Sequence, residues 1–318
     1  MRYIQFGGFD EKDEFDFLKK MNSSLTALNE QLLTDRSEDF PNIFIMGLPR
    51  SGTTFLSQLI HNSLNVCTFN NLSAKFWEAP LVGAYLSKMV VPDKKNNVSR
   101  SYYAHTDEIE EPHEFSYFWR KQLLLENSYS LIRKEQKGCI DWNRLKNTLI
   151  GLNHIYQKCG VYKTLEYTGY FLSDFYELFP KSIYIYIYRD SFSVAKSIYK
   201  ARRDYSVEDW WGTVPPEYHK LKDLSLYEQI AGQVYYLEKF YEESMSKLDN
   251  DRLIRVNYSD LCAHPNTFLD KLTSRIMSQF NFEVTQINTP ESSVESSSSL
   301  GEGIENELYS ELNKYHKN

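Results

Sequence analysis

Ile43-Phe44-Ile45-Met46-Gly47-Leu48-Pro49-Arg50-Ser51-Gly52-Thr53-Thr54-Phe55 runs from an apolar strand through a glycine-bracketed loop into a helix. The register is GxxxxGTT, close to the phosphate-loop pattern GxxxxGK followed by Ser or Thr, but Thr53 stands where a nucleotide hydrolase keeps its lysine. The cation lies three residues earlier, at Arg50. A strand that ends in a tight turn and opens a helix aims unpaired backbone N–H groups at one point, and the helix dipole adds to the attraction for an anion. Gly47 and Gly52 supply backbone freedom, Pro49 stiffens the bend, Arg50 offers a fork of donors, and Ser51, Thr53 and Thr54 add hydroxyls. Residues 55–64 read as the helix, with Phe55, Leu56, Leu59, Ile60 and Ser63 on one face. A strand-to-helix turn that binds nothing is the plain alternative; the order strand, loop, hydroxyls, helix favours a phosphate.

A second constellation follows at the matching place in a later unit. Ser182-Ile183-Tyr184-Ile185-Tyr186-Ile187-Tyr188 is a β-rich run in which isoleucines alternate with tyrosines, as in a strand buried on both faces. Arg189 sits at its carboxyl end, where open parallel sheets place ligands. Ser197 comes eight residues later, about two turns into the next helix. An arginine at a strand end and a serine on the following helix can grip one phosphate together. Taken alone, Arg189 reads as the solvated partner of Asp190; beside the loop at Arg50 it reads as an anion ligand.

These segments resemble the sulfotransferase family, which uses 3′-phosphoadenosine 5′-phosphosulfate (PAPS) as sulfuryl donor. Residues 49–55 resemble its 5′-phosphosulfate loop, with Phe55 where an aromatic ring stacks on adenine. Arg189 and Ser197 resemble its 3′-phosphate pair, and Val161-Tyr162-Lys163-Thr164 its lysine-bearing strand. Arg255 to Pro265 resembles a later segment whose tyrosine, here Tyr258, lies near the adenine. Glu110-Glu111-Pro112-His113-Glu114 leans towards the bacterial and carbohydrate- or protein-modifying branch. The resemblance implies a single α/β domain over residues 1–318: a three-layer, P-loop NTPase-like fold with a central parallel sheet flanked by helices. It implies PAPS-dependent transfer to a hydroxyl or amine, a binding set of Arg50, Ser51, Gly52, Thr53, Thr54, Phe55, Arg189, Ser197 and Tyr258, and no required metal.

Composition sets the outer bounds. The chain has 318 residues, 25% of them charged, and a formal net charge of −7, which argues against a broad nucleic-acid footprint. It holds 24 tyrosines and 19 phenylalanines, and buried tyrosines need partners for their hydroxyls. Cys67, Cys139, Cys159 and Cys262 have no metal-site spacing and read as reduced and structural. The acidic N-terminus does not read as a signal peptide, and no run of eighteen apolar residues occurs. A cytoplasmic enzyme acting on a small-molecule, glycan or lipid acceptor is expected; its oligomeric state, a homodimer included, is open.

Along the chain, Phe15 to Leu33 reads as amphipathic helix, and residues 65–160 as a helical insertion shaping an acceptor pocket. Its likeliest helices are Glu114 to Leu125 and Asn143 to Cys159, with a polar break at Asp93 to Arg100. Tyr170 to Phe179, Ser193 to Arg203, Leu226 to Leu248 and Asn266 to Phe280 read as further helices, and Leu253 to Asn257 as another strand. Asp209 to Lys222 resembles an aromatic lid, with Trp77, Trp119, Trp210 and Trp211 as candidate acceptor surfaces. Residues 286–303, with their serine run, are expected to be mobile.

Sulfuryl transfer needs a base for the acceptor proton, positive charge at the bridging oxygen, and in-line placement. Arg50 and Lys163 are assigned to the phosphosulfate and leaving oxygen. Phenol-modifying relatives take their base from a histidine two residues after the strand lysine, where this chain has Leu165. Glu78 is the nearest match to the glutamate of the tyrosine- and heparan-modifying relatives; its plain reading is a surface or capping carboxylate. His105, Glu111 and His113 are rivals in a segment that otherwise reads as a solvated acidic loop, and Glu166 is a more remote one. Two other readings stand beside this one. A P-loop nucleotide kinase or NTPase wants a lysine at position 53 and an acidic metal ligand closing a strand. A non-catalytic PAP(S)-binding module would keep the fold without a base.

Overall fold

A computed structural model of the chain describes residues 12–91, 101–102, 105–106, 108–125, 137–164, 166–207, 210–293 and 299–316. The strands among them are β1 (Asn42–Gly47), β2 (Val66–Cys67), β3 (Ser101–Tyr102), β4 (His105–Thr106), β5 (Cys159–Lys163), β6 (Ser182–Tyr188) and β7 (Leu253–Asn257). β3 and β4 pair as a separate ribbon, and the other five form one sheet in the order β2-β5-β1-β6-β7, parallel throughout. The helices are α1 (Lys12–Leu32), α2 (Thr53–Ser63), α3 (Pro80–Val90), α4 (Ser116–Gln122), α5 (Trp142–Tyr156), α6 (Glu166–Tyr170) and α7 (Leu172–Leu178). After β6 come α8 (Ser191–Asp204), α9 (Tyr218–Leu221), α10 (Leu226–Met245), α11 (Tyr258–Ala263), α12 (Pro265–Phe280) and α13 (Glu302–His316). The expected α/β architecture, a parallel sheet between helical layers, is what the chain adopts.

The alternation of isoleucine and tyrosine in β6 sorts the core into two chemically distinct layers. Ile183, Ile185 and Ile187 join Ile43, Ile45, Val161 and Ile254 on one face, packed by Leu56 and Ile60 of α2 and Leu269, Leu272 and Ile276 of α12. Tyr184 and Tyr186 join Phe44, Met46 and Tyr162 on the other, with Phe175, Phe179 and Tyr241. Phe44 lies at the centre of that aromatic face, its ring 5.3–5.7 Å from those of Tyr162, Tyr184, Phe175 and Phe179. Both faces of the sheet are thus removed from water, as parallel sheets require.

Several elements depart from the sequence reading, each for a local reason. The helix α5 stops at Tyr156 because Gln157 turns into the left-handed region (φ 57°), which frees Cys159 to pair with Val66 as strand rather than extend the helix. The helix expected over Tyr170 to Phe179 begins at Leu172 as α7, separated from the preceding α6 at Phe171, whose buried ring packs against Trp142. The insertion begins after β2, since Val66 and Cys67 belong to the sheet. α2 is buried almost all round, not on one face. Residues 286–293 are tied down: Ile287 and Asn288 donate backbone N–H groups to Ser63, and Ser293 donates to Cys262. The polar break at 93–100 and the serine run at 294–298 lie outside the described residues.

The sheet's amino-terminal edge is held by a buried polar network. Asn153 of α5 donates to Asn42 Oδ1 (2.8 Å) and accepts from the Tyr162 hydroxyl (2.7 Å), whose pKa burial pushes up so that it stays a donor. Asn42 Nδ2 in turn donates to Glu38 (2.8 Å), which also accepts from the Lys181 backbone (3.0 Å). The network ties β5, β1 and the entry to β6 in one register. Asn153→Leu leaves Asn42 Oδ1 without its donor in a dry site, so unfolding free energy in urea should fall by about 1–3 kcal/mol with far-UV dichroism unchanged. Wild-type stability in that variant would show that the network is dispensable.

Candidate functional site

The carboxyl end of β1 turns sharply because two neighbours crowd it. A Cβ at Gly47 would meet Ile187 O at 2.6 Å, so only glycine lets β1 and β6 stay paired to their ends. Arg50 takes the left-handed conformation (φ 71°), and the Ser51 N–H and hydroxyl both donate to Leu48 O, at 3.2 and 2.8 Å. Ser51 is 1% exposed, so its hydroxyl closes the turn rather than facing outward. Gly52 (φ 104°) opens α2 with no side chain capping the first turn. The first N–H groups of a helix have no intrahelical acceptor and, with the dipole, attract anions.

Three elements meet over this turn. Tyr258, at the start of α11 beyond β7, lies so close over Gly52 that a Cβ there would be 2.3 Å from its ring. Phe55 packs edge-on to the same ring (centroids 5.9 Å apart), and the Arg189 guanidinium lies 4.9 Å from its centroid. Arg189 Nη1 is 3.5 Å from Arg50 O, and Arg50 Nε donates to Ser197 Oγ at 2.9 Å. Arg50, Arg189 and Ser197 are therefore neighbours although up to 147 residues apart in sequence. Asp190 caps α8 by accepting from Ser193 N (2.8 Å).

Lys163 ends β5 opposite Ile45 of β1. Its side chain is 3% exposed, and its ammonium donates to Thr54 Oγ1 of α2 and to Glu114 Oε1, both at 2.7 Å. A buried ammonium needs such partners, because desolvation without them costs several kcal/mol. Glu114 is brought there by the strand-like docking of its segment: Asn71 N donates to Glu111 O, Leu72 N to Ile109 O, and His113 N to Phe69 O. Glu111 fastens the same segment to α2 by accepting from Gln58 (2.9 Å). Glu111 is 5% exposed, and burial pushes its carboxyl above the ordinary range against the opposing pull of Gln58. His113 turns inward on its own segment, its Nδ1 accepting from Phe115 N at 2.9 Å.

The other sequence candidates lie elsewhere or outside the described side chains. Glu78 pairs with Lys121 of α4, and its backbone N–H donates to Asn22 of α1. His105 stands in β4 opposite Tyr102, and Glu166 opens α6, with both side chains and Leu165 outside the described residues. The tryptophans expected to face an acceptor are mostly core. Trp77 and Trp119 are buried in the aromatic layer. Trp210, 2% exposed, fills a small cluster with Val214 and Leu221, under the Arg202 guanidinium. Gln233 of α10 holds that loop by donating to Trp211 O and Thr213 O. Glu114 was not among the sequence candidates. It stands at the end of the acidic segment already singled out, but only the pairing of residues 69–72 with 109–113 turns it to Lys163.

No curated protein matches the sequence at a significant level. Among solved structures, the fold is similar to sulfotransferase STF9 from Mycobacterium avium, with a TM-score of 0.51 and 13% identity over 82% of this chain and 71% of that one. It is similar also to sulfotransferase STF1 from Mycobacterium tuberculosis H37Rv, with a TM-score of 0.51 and 14% identity over 85% and 76% of the two chains. The model of the sulfotransferase family matches residues 41–281, from the start of the central strand past the end of α12 and through every residue of the site described above. The chain belongs to the sulfotransferase family.

Proposed function

We propose that this chain transfers a sulfuryl group from PAPS to a hydroxyl or amine of a small-molecule, glycan or lipid acceptor, by in-line displacement. One observation carries the reading: the Arg50–Ser197 hydrogen bond and the approach of Arg189 to Arg50 O gather the two anion-binding constellations into one place. A ligand with phosphates at both ends of one nucleoside fits that juxtaposition. The residues fit the donor on their own terms too. Gly52 lets the Tyr258 ring close over the turn, α2 begins uncapped, and cationic side chains flank both.

In this reading Arg189 and Ser197 hold the 3′-phosphate. Arg50, which donates from Nε to Ser197, stands beside them and is assigned to the phosphosulfate. The N–H groups of Gly52, Thr53 and Thr54 hold the 5′ end, and Phe55 and Tyr258 flank the adenine. When bound, the donor supplies the sulfuryl group; Lys163 and Thr54 supply the charge and hydroxyl that steady its leaving oxygen. Arginine and lysine can neutralise the donor, so the reading calls for no metal.

Calorimetric titration with adenosine 3′,5′-bisphosphate (PAP) in the presence of EDTA should give a clear binding isotherm. Arg189→Ala should abolish it, and Ser197→Ala should weaken it by about 1.5–3 kcal/mol without lowering the melting temperature. An absolute requirement for Mg²⁺ and ATP would overturn the reading in favour of a nucleotide kinase. Loss of stability in Ser197→Ala with unchanged affinity would make that serine a packing residue.

Gly52→Ala gives a sharper test, because it adds one methyl group at the left-handed position under Tyr258. PAP affinity should fall at least tenfold in Gly52→Ala with far-UV dichroism unchanged, because the added methyl group displaces the Tyr258 ring from the turn. An unaltered isotherm in Gly52→Ala would place the ligand elsewhere.

A further inference from the structure

We infer that Glu114 is the general base of this site, and that taking the acceptor's proton is also what frees the charge of Lys163 for the leaving group. The inference rests on the sulfotransferase reading above and adds to it the identity and the working of the base. Glu114 Oε1 lies 2.7 Å from Lys163 Nζ, and Thr54 Oγ1 lies 2.7 Å from the same nitrogen. Lys163 is sealed at 3% exposure, whereas the Glu114 side chain is 26% exposed, so the pair has a dry cationic side and a carboxylate side open to an entering molecule. The rival carboxylates with described side chains are engaged away from it: Glu111 is clamped by Gln58, and Glu78 is paired with Lys121.

The charges around Glu114 make the coupling direct. From β5 it faces Lys163, and from its own segment its neighbours are His113 and Glu111. On α4 the nearby cations are already placed: Lys121 pairs with Glu78, and Arg120 lies over the Tyr117 ring. Among the described residues, Lys163 is the cation paired with Glu114. As the acceptor oxygen bonds to sulfur, its O–H bond breaks and the proton passes to Glu114. The bond from sulfur to the bridging oxygen breaks, and its electron pair stays on the 5′-phosphate of PAP. A protonated Glu114 no longer neutralises Lys163, so the ammonium's charge is released to the oxygen that is becoming negative. One proton transfer thus serves both ends of the displacement. In the complex with PAP, Glu114 keeps that proton.

The last point can be read without knowing the acceptor. PAP is titrated into the full chain and into Glu114→Gln between pH 6 and 8, in two buffers of different ionisation enthalpy. Wild type should take up more protons on binding than the variant, by up to one per site, and its affinity should fall more steeply as pH rises. Glu114→Gln should bind PAP at least severalfold more tightly, because Lys163 is no longer held by a carboxylate. Equal proton uptake and equal affinity in the two proteins would overturn the inference. Glu114→Asp, which keeps the charge on a shorter stem, should retain the extra proton uptake; its loss there together with a lowered melting temperature in both variants would assign Glu114 a structural role instead. With radiolabelled PAPS, Glu114→Gln should lose about 10²–10⁴-fold in label transfer to any acceptor, water included; wild-type transfer would again overturn it. Failure of wild type to bind PAP at all would sink the sulfotransferase reading itself, whereas normal binding with an indifferent Glu114 sinks only this one.

Discussion

The register of β1 between β5 and β6 is the constraint on which the site depends. Ile45 lies opposite Lys163 and Gly47 opposite Ile187, so the phosphate-loop turn, the strand lysine and Arg189 all emerge at one edge of the sheet. Side chains on a strand alternate between faces, and a slip of one residue would exchange the isoleucine and aromatic layers as well as move every candidate site residue. Two devices hold the register at opposite ends. At the carboxyl edge, Gly47 lets Ile187 O come close; at the amino edge, the Asn153–Asn42–Glu38 chain of hydrogen bonds links three consecutive segments.

The segregation of the two core layers is the part of the fold most plainly written in the sequence. Isoleucine and valine line the face packed by α2 and α12, where flat helix-on-sheet contact suits branched side chains. Tyrosine and phenylalanine line the other, where rings pack both stacked and edge-on and Tyr162 and Tyr241 find acceptors at Asn153 and Gly47. Strands β6 and β7 have the bounds their patterns predict, and the donor-side candidates Arg50, Arg189, Ser197, Phe55 and Tyr258 gather in space. Each of those is fixed by a short-range rule: a strand end, a two-turn spacing, a glycine turn.

What the sequence did not disclose is set by long-range docking. Glu114 reaches Lys163 only because residues 109–113 lie along residues 69–72, a pairing with no local signature. The same docking turns Glu111 onto α2, although composition alone presents it as one more acidic residue before a proline. The tryptophans mislead for the opposite reason. Ring area that suits a sugar also suits a core, and Trp119 and Trp210 are taken up by packing. Gln157 and Phe171 show the same limit in the backbone, since a left-handed residue or a break in a helix is decided by what it lets pack next door.

The placement of Glu114 also explains how a lysine can wait in so dry a position. An ammonium withdrawn from water without a counter-charge would shed its proton or leave the site, and either would disarm it. A carboxylate at 2.7 Å keeps the charge in place, yet the same carboxylate would cancel that charge at the moment it is needed. Protonation is the simplest event that resolves the conflict, because it turns a neutralising partner into a neutral hydrogen-bonding neighbour without moving any atom of the backbone. On the proposed mechanism, a base placed anywhere else would leave Lys163 still compensated as negative charge grows on the leaving oxygen, and the geometry that stores the cation would also time its release.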